Sequence, residues 1–143
     1  MIAKTQTLIR EIIDARAAAV NAGDVEGIVG GVAEDVIIFD VVGPLRRDGK
    51  AFARRRAEEW LASFDQGPTW ENHDIHVASG EVVAFSHSLS HITGRLKIGT
   101  RVDMWFRTTL GFERRDGRWL IVHDHGSDPF DPGTGKASLD LKP

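Results

Sequence analysis

The sequence predicts one α+β domain in which N-terminal helices pack on one face of an antiparallel sheet. Helical apolar spacing occupies the first half of the chain, and four β-like segments joined by turns follow, without βαβ alternation. The 143 residues suit a single domain, and 41% of them are hydrophobic, which is enough for a core. A sheet of four to six strands covered by helices on one face can curl around a cavity, where ligands bind.

Two helices are predicted before the first strand. Residues 5–21 place apolar side chains at helical spacing and contain neither glycine nor proline, and Gly23 supplies a stop. Asp24 is suited to cap a short second helix over residues 25–32. The glycines in that second helix make it weak alone, so we expect it to depend on packing.

The first strand and a third helix come next. Residues 36–42 are β-branched and aromatic, as strands prefer, and Gly43 with Pro44 breaks the pattern. Residues 50–64 are predicted to be helical after a turn. One stripe of this helix has residues four apart: Phe52, Arg56, Trp60 and Phe64. Trp60 and Phe64 are candidates for closing the mouth of a pocket, although aromatic stripes of this kind usually belong to the core.

The second half is predicted to be an antiparallel meander. Its four strands cover residues 70–77, 82–93, 101–114 and 118–125, and Asp116 with Gly117 forms a tight hairpin. Prolines and glycines after residue 127 indicate an extended tail. The predicted domain therefore covers residues 1–127, and the tail covers residues 128–143.

Charge and composition argue against several function classes. The net charge of −3 gives no basic face for nucleic acid, and no apolar run approaches the roughly 20 residues that span a membrane. No cysteine is present, so a disulfide framework and zinc–thiolate sites are excluded. The N-terminus lacks the features of a signal peptide. We expect a cytoplasmic protein that needs no cofactor and no metal.

Three segments carry a family resemblance. Residues 21–28, residues 33–44 and the ending at 116–127, with its Asp-Gly-x-Trp-x-Ile-x-His-x-His pattern, resemble ketosteroid isomerases and their SnoaL-like relatives in the nuclear-transport-factor-2-like superfamily. The resemblance implies a cone-shaped, curved, largely antiparallel (mixed) sheet with helices over a central cavity. It also implies a small organic ligand and a homodimer.

Asp40 is the first candidate catalytic residue. The resemblance places it where ketosteroid isomerases keep their general base, and an aspartate in an apolar strand is expected to be partly desolvated, which makes it a better base. The alternative is that Asp40 ends the strand and caps the next turn.

The oxyanion-binding pair of ketosteroid isomerases, a tyrosine and a protonated aspartic acid, is missing. The chain contains no tyrosine, and the matching positions hold Arg16 and Thr109. These differences argue against steroid isomerisation by that mechanism. Arg16 could hold an anionic or carbonyl oxygen in its guanidinium fork, or be a solvated helix residue.

The long strand at 101–114 raises a question of register. The resemblance places Thr109 on the cavity face, and a period of two then places Asp103, Trp105 and Arg107 there as well. Such a face would suit a polar aromatic or carboxylate ligand. Alternatively, Asp103 and Arg107 pair with each other, with solvent or across a dimer contact, and a bulge would change the register.

The histidines are expected to be mainly structural. On the last strand the resemblance directs Leu120, Val122 and Asp124 to the cavity, so His123 and His125 would face outward, towards an interface. His-x-His pairs can bind a metal, but no third ligand is fixed by the pattern. His87 is a second catalytic candidate, as an acid or base near Asp40.

Two functions fit these observations. The first is an acid/base isomerase, dehydratase or cyclase with Asp40 as base, acting on a small carbonyl compound. The alternative is a non-catalytic ligand-binding or assembly domain of the same fold, because one fold hosts many functions.

Overall fold

A computed structural model describes residues 2–143 and confirms the predicted α+β class. The helices are α1 (Ile2–Ala22), α2 (Val25–Val29) and α3 (Lys50–Ala62). The strands are β1 (Val32–Phe39), β2 (Arg47–Asp48), β3 (Phe64–Ser79), β4 (Val83–Leu96), β5 (Arg101–Arg115) and β6 (Arg118–Ser127).

The six strands form one mixed, curved sheet. Their order is β2-β1-β6-β5-β4-β3, and the pairing of β1 with β6 is the parallel one. The strands β3 to β6 form the predicted antiparallel meander. The short strand β2, which the sequence did not predict, pairs with β1 and extends the sheet at its edge.

Helix α1 packs along the concave face of the sheet. Its apolar spacing buries Ile9 and Ile13 against Phe112 and Ile121 of the central strands. The helix ends before Gly23, whose positive φ of 67° is a backbone conformation that suits glycine. In the part of the chain that the structure describes, the helices lack the combination of length and apolar character needed to cross a membrane.

A second apolar cluster holds the short helices in place. It joins the end of α1 to α2 and α3, and its buried members are Ala19, Val20, Ile28, Val29 and Ala57. The carboxylate of Asp24 accepts a hydrogen bond of 3.1 Å from the backbone N–H of Gly27. The predicted cap of α2 is therefore confirmed, and packing on its neighbours supports the glycine-containing helix.

The first strand, predicted over residues 36–42, instead runs from Val32 to Phe39, so Asp40 follows the strand rather than lying inside it. Two predicted helix ends are also wrong, for reasons of strand pairing. The second helix was predicted to reach residue 32, but Val32 is buried and begins β1 beside Ile121 of β6. The third helix was predicted to include Phe64, but that residue begins β3 and pairs with Leu96. In both places long-range pairing in the sheet outweighed local helix propensity.

A bulge divides β6 into two halves. Phe112 of β5 pairs with Ile121, whereas the adjacent Gly111 pairs with His123, so Val122 is one extra residue on β6. An extra residue in one strand exchanges the faces of all the side chains that follow it. Ile121 and Asp124 consequently lie on the same, concave side of the sheet.

The tail contains little regular structure. After β6, a single antiparallel bridge joins Phe130 to Ala137, and no helix or strand element follows up to Pro143.

We predict that Gly94→Ala destabilises the domain by about 1–3 kcal/mol, because a side chain there would overpack the start of the sheet. An added Cβ would lie 2.7 Å from the backbone oxygen of Gln66 and 2.8 Å from the ring of Phe64. Chemical denaturation of both proteins measures the change. Gly80→Ala is the matched control, because its nearest neighbour is 3.6 Å away; equal stability of the two variants would contradict the prediction.

Candidate functional site

A cavity lies between the concave face of the sheet and the three helices. Its volume is about 240 Å³. Much of its wall is apolar, and the large side chains that line it include Val29, Trp60, Trp70, Ile92, Met104 and Phe106. A mainly apolar hollow with a few polar groups is the usual form of a small-molecule site.

Five charged side chains line the same cavity, and each belongs to a different part of the fold. They are Arg16 on α1, Asp40 just after β1, Arg47 on β2, Arg56 on α3 and Asp124 on β6. Charged groups are rarely placed in apolar surroundings without partners, because removal from water is costly. Their contacts therefore indicate what the site can bind.

Arg16 and Asp124 form one ion pair in the wall. The Nη2 atom of Arg16 donates a short hydrogen bond to Oδ2 of Asp124, and both side chains are largely buried. The pair joins α1 to β6 across 108 positions of sequence. A guanidinium held by one carboxylate keeps further N–H donors of its fork for a ligand.

Asp40 faces two arginines. Its Oδ2 atom lies 3.6 Å from Nε of Arg56 and 3.9 Å from Nε of Arg47, and 24% of its side chain is exposed. Within residues 2–143, no hydrogen bond of 3.5 Å or less reaches the Asp40 carboxylate. Asp40 is thus held by charge rather than by local backbone donors, and its oxygens remain open to the cavity.

A chain of polar groups crosses the opposite wall. The indole N–H of Trp70 donates to Oδ1 of Asn72 at 2.9 Å, and the buried hydroxyl of Ser90 donates to the same oxygen at 3.1 Å. Ser90 also lies 2.8 Å from the Thr108 hydroxyl. These hydrogen bonds fix the orientation of Asn72, which lines the cavity and offers it an amide group.

Three of the predicted site residues line this cavity: Asp40, Arg16 and Trp60. They come from α1, from α3 and from the segment after β1, and the fold brings them together. The sequence also directed Asp124 towards the cavity, and it lies there. Leu120 and Val122, which were expected beside it, do not line the cavity, because the bulge at Val122 alters the alternation of β6.

The predicted register of β5 is wrong by one residue. The cavity is lined by Met104, Phe106, Thr108 and Leu110, whereas the opposite, outer face carries Asp103, Trp105, Arg107 and Thr109. A shift of one residue moves every side chain to the other face of a strand. The more apolar set faces the helices because burial there removes more apolar surface from water.

The outer-face residues of β5 have partners of their own. The ring of Trp105 stacks on His91 at a centroid distance of 4.4 Å, and His91 contacts Asp103 at 2.6 Å. Hydrogen bonding to His91 lowers the pKa of Asp103. The guanidinium of Arg107 donates to the Ser127 hydroxyl at 3.1 Å.

None of the six histidines lines the cavity. His87, expected near Asp40, is exposed on the outer face, where its ring stacks on His76 at 5.0 Å. Nδ1 of His123 lies 2.8 Å from the carbonyl oxygen of Ile37. Among residues 2–143, no three histidine or carboxylate side chains are grouped as metal ligands would be.

Phe64 is also outside the cavity lining. It is buried at the start of β3, with its ring edge-on to Trp60 at 5.5 Å. The helix ends at Ala62, so the stripe of residues four apart loses its last member to the sheet. Phe64 therefore packs against Trp60 without lining the cavity itself.

Sequence reasoning did not select Arg47 or Arg56 as site residues. Arg56 had a signal, because it lies within the stripe that also contains Phe52 and Trp60. An arginine in a stripe that faces inward points to a cavity rather than to a filled core. Arg47 gave no such signal, since the short strand that buries it was not predicted.

Comparisons with known proteins agree with this architecture. A family model of the SnoaL-like domain matches residues 9–131. A nuclear-transport-factor-2-like protein of unknown function from Pseudomonas putida has 28% sequence identity and a TM-score of 0.91, with 100% of this chain and 99% of that chain covered. No curated protein matches the chain in sequence.

Two more distant structures share the fold. A candidate ketosteroid isomerase from Shewanella frigidimarina has 24% identity and a TM-score of 0.69, covering 82% of this chain and 92% of that chain. A candidate dehydratase of the nuclear-transport-factor-2-like family from Streptomyces avermitilis has 16% identity and a TM-score of 0.78, covering 89% of this chain and 97% of that chain. At these identities the likeness shows the fold alone.

We predict that Asp128→Asn stabilises the protein at neutral pH. Both carboxylate oxygens of Asp128 are shielded from solvent and have no hydrogen-bond partner within the described chain. Burial raises the pKa of this carboxyl, and the charge of Arg107 offsets part of that rise. A neutral amide costs less to bury than a charge.

The raised pKa of Asp128 makes the stability of wild type depend on pH in a defined direction, and Asp128→Asn removes that dependence. Because the folded-state pKa of Asp128 is raised, the folded protein takes up a proton before the unfolded chain does, and wild type gains stability as the pH falls towards 3.8. The advantage of the variant should therefore shrink in acid. Melting temperatures measured at several pH values test this, with the exposed Asp140→Asn as control; a constant difference across pH would contradict it.

Proposed function

We propose that this chain, which belongs to the SnoaL-like domain family, removes a proton next to the carbonyl group of a small organic molecule in its cavity. The observation that carries the proposal is the carboxylate of Asp40, which opens into a mainly apolar cavity without a hydrogen-bond partner in residues 2–143. A general base needs such access, because it must come within hydrogen-bond reach of the proton that it abstracts.

Asp40 is the base in this proposal. The C–H proton passes to its carboxylate, and the electron pair of that bond moves through the carbon skeleton onto the carbonyl oxygen, which gives an enolate. Arg47 and Arg56, at 3.9 and 3.6 Å from Oδ2, orient the carboxylate by charge. The apolar walls exclude water, which strengthens electrostatic interactions inside the cavity.

Arg16 stabilises the negative charge of the enolate. It occupies the position that the resemblance assigns to the oxyanion-binding tyrosine, and its guanidinium lines the cavity. The ion pair with Asp124 holds it in one orientation, so its remaining N–H donors are already in place when charge develops. Preorganised donors of this kind are usually a large part of catalysis by acyl- and enolate-forming enzymes.

The same first step serves two reaction types. With a substrate that carries a neighbouring C=C bond, an isomerase returns the proton from Asp40 to the far carbon of the resulting dienolate. In a dehydratase the enolate re-forms the C=O bond, a C=C bond forms as the C–O bond of a β-hydroxyl group breaks, and the proton held by Asp40 passes to the leaving oxygen, which departs as water. The related folds include a candidate ketosteroid isomerase and a candidate dehydratase, which supports this pair of reactions. Asn72, fixed by Trp70 and Ser90, can hold a hydroxyl or second carbonyl oxygen of the substrate.

A second candidate function is ligand binding without turnover. The observation that favours it is the pair of arginines facing Asp40, because ion pairing is also how a purely structural carboxylate is held. In that case the cavity would bind the same molecules, and Asp40 would contribute only to stability.

Asp40→Asn is expected to slow proton removal by about 100- to 10,000-fold, the usual contribution of a general base. Exchange of α C–H for deuterium in heavy water, followed by NMR over a panel of small ketones, enones and oxo acids, measures this step directly. Asp14→Asn, an exposed change on α1, is the matched control. Exchange by Asp40→Asn at the wild-type rate would overturn the role of Asp40, and binding without exchange by wild type would favour the second function.

A further inference from the structure

We infer that the ligand carries a carboxylate group, and that Arg56 binds it. This inference rests on the cavity being the substrate site of the proposed reaction, and it names the class of substrate. It follows from the charge balance of the cavity, from the hydrogen bonds of its arginines and from the nature of the remaining wall.

The charges in the cavity wall do not balance. Arg16 is matched by Asp124, but Arg47 and Arg56 together face the single carboxylate of Asp40. One positive charge is left over in surroundings that are otherwise mainly apolar. Such a charge is costly to keep without a partner, and an anionic ligand supplies one.

The hydrogen bonds of Arg47 and Arg56 also indicate a site for an anionic ligand. Arg47 donates through Nη2 to the carbonyl oxygen of Gly43, but its Nε is shielded from solvent and has no hydrogen-bond partner in residues 2–143. Arg56 makes no hydrogen bond in the same part of the chain, although its side chain is only 29% exposed. Its planar fork has five N–H donors, which match a carboxylate in a bidentate contact.

Three arginines that are more exposed than Arg56 provide a contrast. Arg54 reaches Glu26 at 2.8 Å, Arg46 reaches Asp48 at 2.7 Å, and the Nη1 atom of Arg115 lies 2.6 Å from a carboxylate oxygen. These exposed guanidinium groups have close partners that they need less, because water could solvate them. The cavity-facing Arg56 has only the 3.6 Å contact with Asp40, so its N–H donors remain available to a ligand.

The excess charge and the wall together restrict the ligand. A single positive charge balances a carboxylate, whereas a phosphate dianion would leave the cavity negative. The aromatic and aliphatic wall around Trp60, Trp70 and Phe106 suits an apolar body, and about 240 Å³ limits it to a small one. Arg56 is next to Asp40, so a ligand whose carboxylate binds Arg56 places its reacting C–H only a few bonds from that carboxylate. Small oxo acids and hydroxy acids have this arrangement.

Calorimetric titration with matched ligands tests the inference in the full chain. Phenylacetate and phenylacetamide share shape and size and differ in charge. Wild type should bind the acid at least about tenfold more tightly than the amide, since a hydrogen bond to a charged group contributes that much. Arg56→Gln should abolish the preference by weakening binding of the acid at least about tenfold, and amide binding that remains measurable shows that the cavity is intact. Arg56→Met replaces it if the glutamine variant does not fold.

Two further variants sharpen the result. Arg55→Gln, an exposed arginine on the same helix, should keep the preference for the acid. Asp40→Asn should bind phenylacetate more tightly than wild type, because a like charge beside Arg56 is removed. The inference is overturned if wild type binds acid and amide equally, or if Arg56→Gln keeps the preference.

Failure of this inference is distinguishable from failure of the proposed reaction. In one outcome, wild type exchanges neutral ketones, Asp40→Asn does not, and wild type shows no preference for acids. That outcome supports the proposed reaction and refutes the inference that the ligand carries a carboxylate. A preference for acids that depends on Arg56, without exchange of any compound, supports the carboxylate and refutes the reaction.

Discussion

The packing of α1 on the concave face of the sheet determines where the domain is solid and where it is hollow. Near Ile9 and Ile13 the helix and the strands are close enough for side chains from both layers to interdigitate with Phe112. Towards Val20, α2 and α3 cover the sheet together with α1, and side chains of the helices and the sheet no longer fill the space between these two layers. The cavity is therefore a product of the same helix–sheet contact that forms the core.

That hollow end is also where the charged residues collect, and their backbone positions explain how they are held. Arg16 and Arg56 are on helices, and Asp124 is on a central strand that pairs with neighbours on both sides. Side chains on helices and strands are held in more precise positions than side chains on loops. Asp40 is the exception, because it follows the last residue of β1, and two guanidinium groups restrain it.

Local signals in the sequence were sufficient for the class of fold, for most elements and for Trp60 of the cavity wall, and the family resemblance added Arg16, Asp40 and Asp124. They failed where the outcome depended on contacts between distant segments. The face of β5 was assigned from one aligned threonine, although the alternative face, with Met104, Phe106 and Leu110, is more apolar and belonged inside. The partner of Arg16 lies 108 positions away, and Arg47 became buried through a two-residue strand. Neither contact leaves a periodic signal that a single sequence could reveal.

The extra residue in β6 gives the strand two separate tasks. Before Val122, the strand contributes Trp119 and Ile121 to the core; after it, the strand contributes Asp124 and Gly126 to the wall of the cavity. Substitutions in the second half can alter recognition while the first half continues to secure the fold. When the residues that hold the fold and the residues that line the cavity are separate, a few substitutions in the cavity wall can change the reaction without loss of the fold. One fold can then serve unrelated reactions.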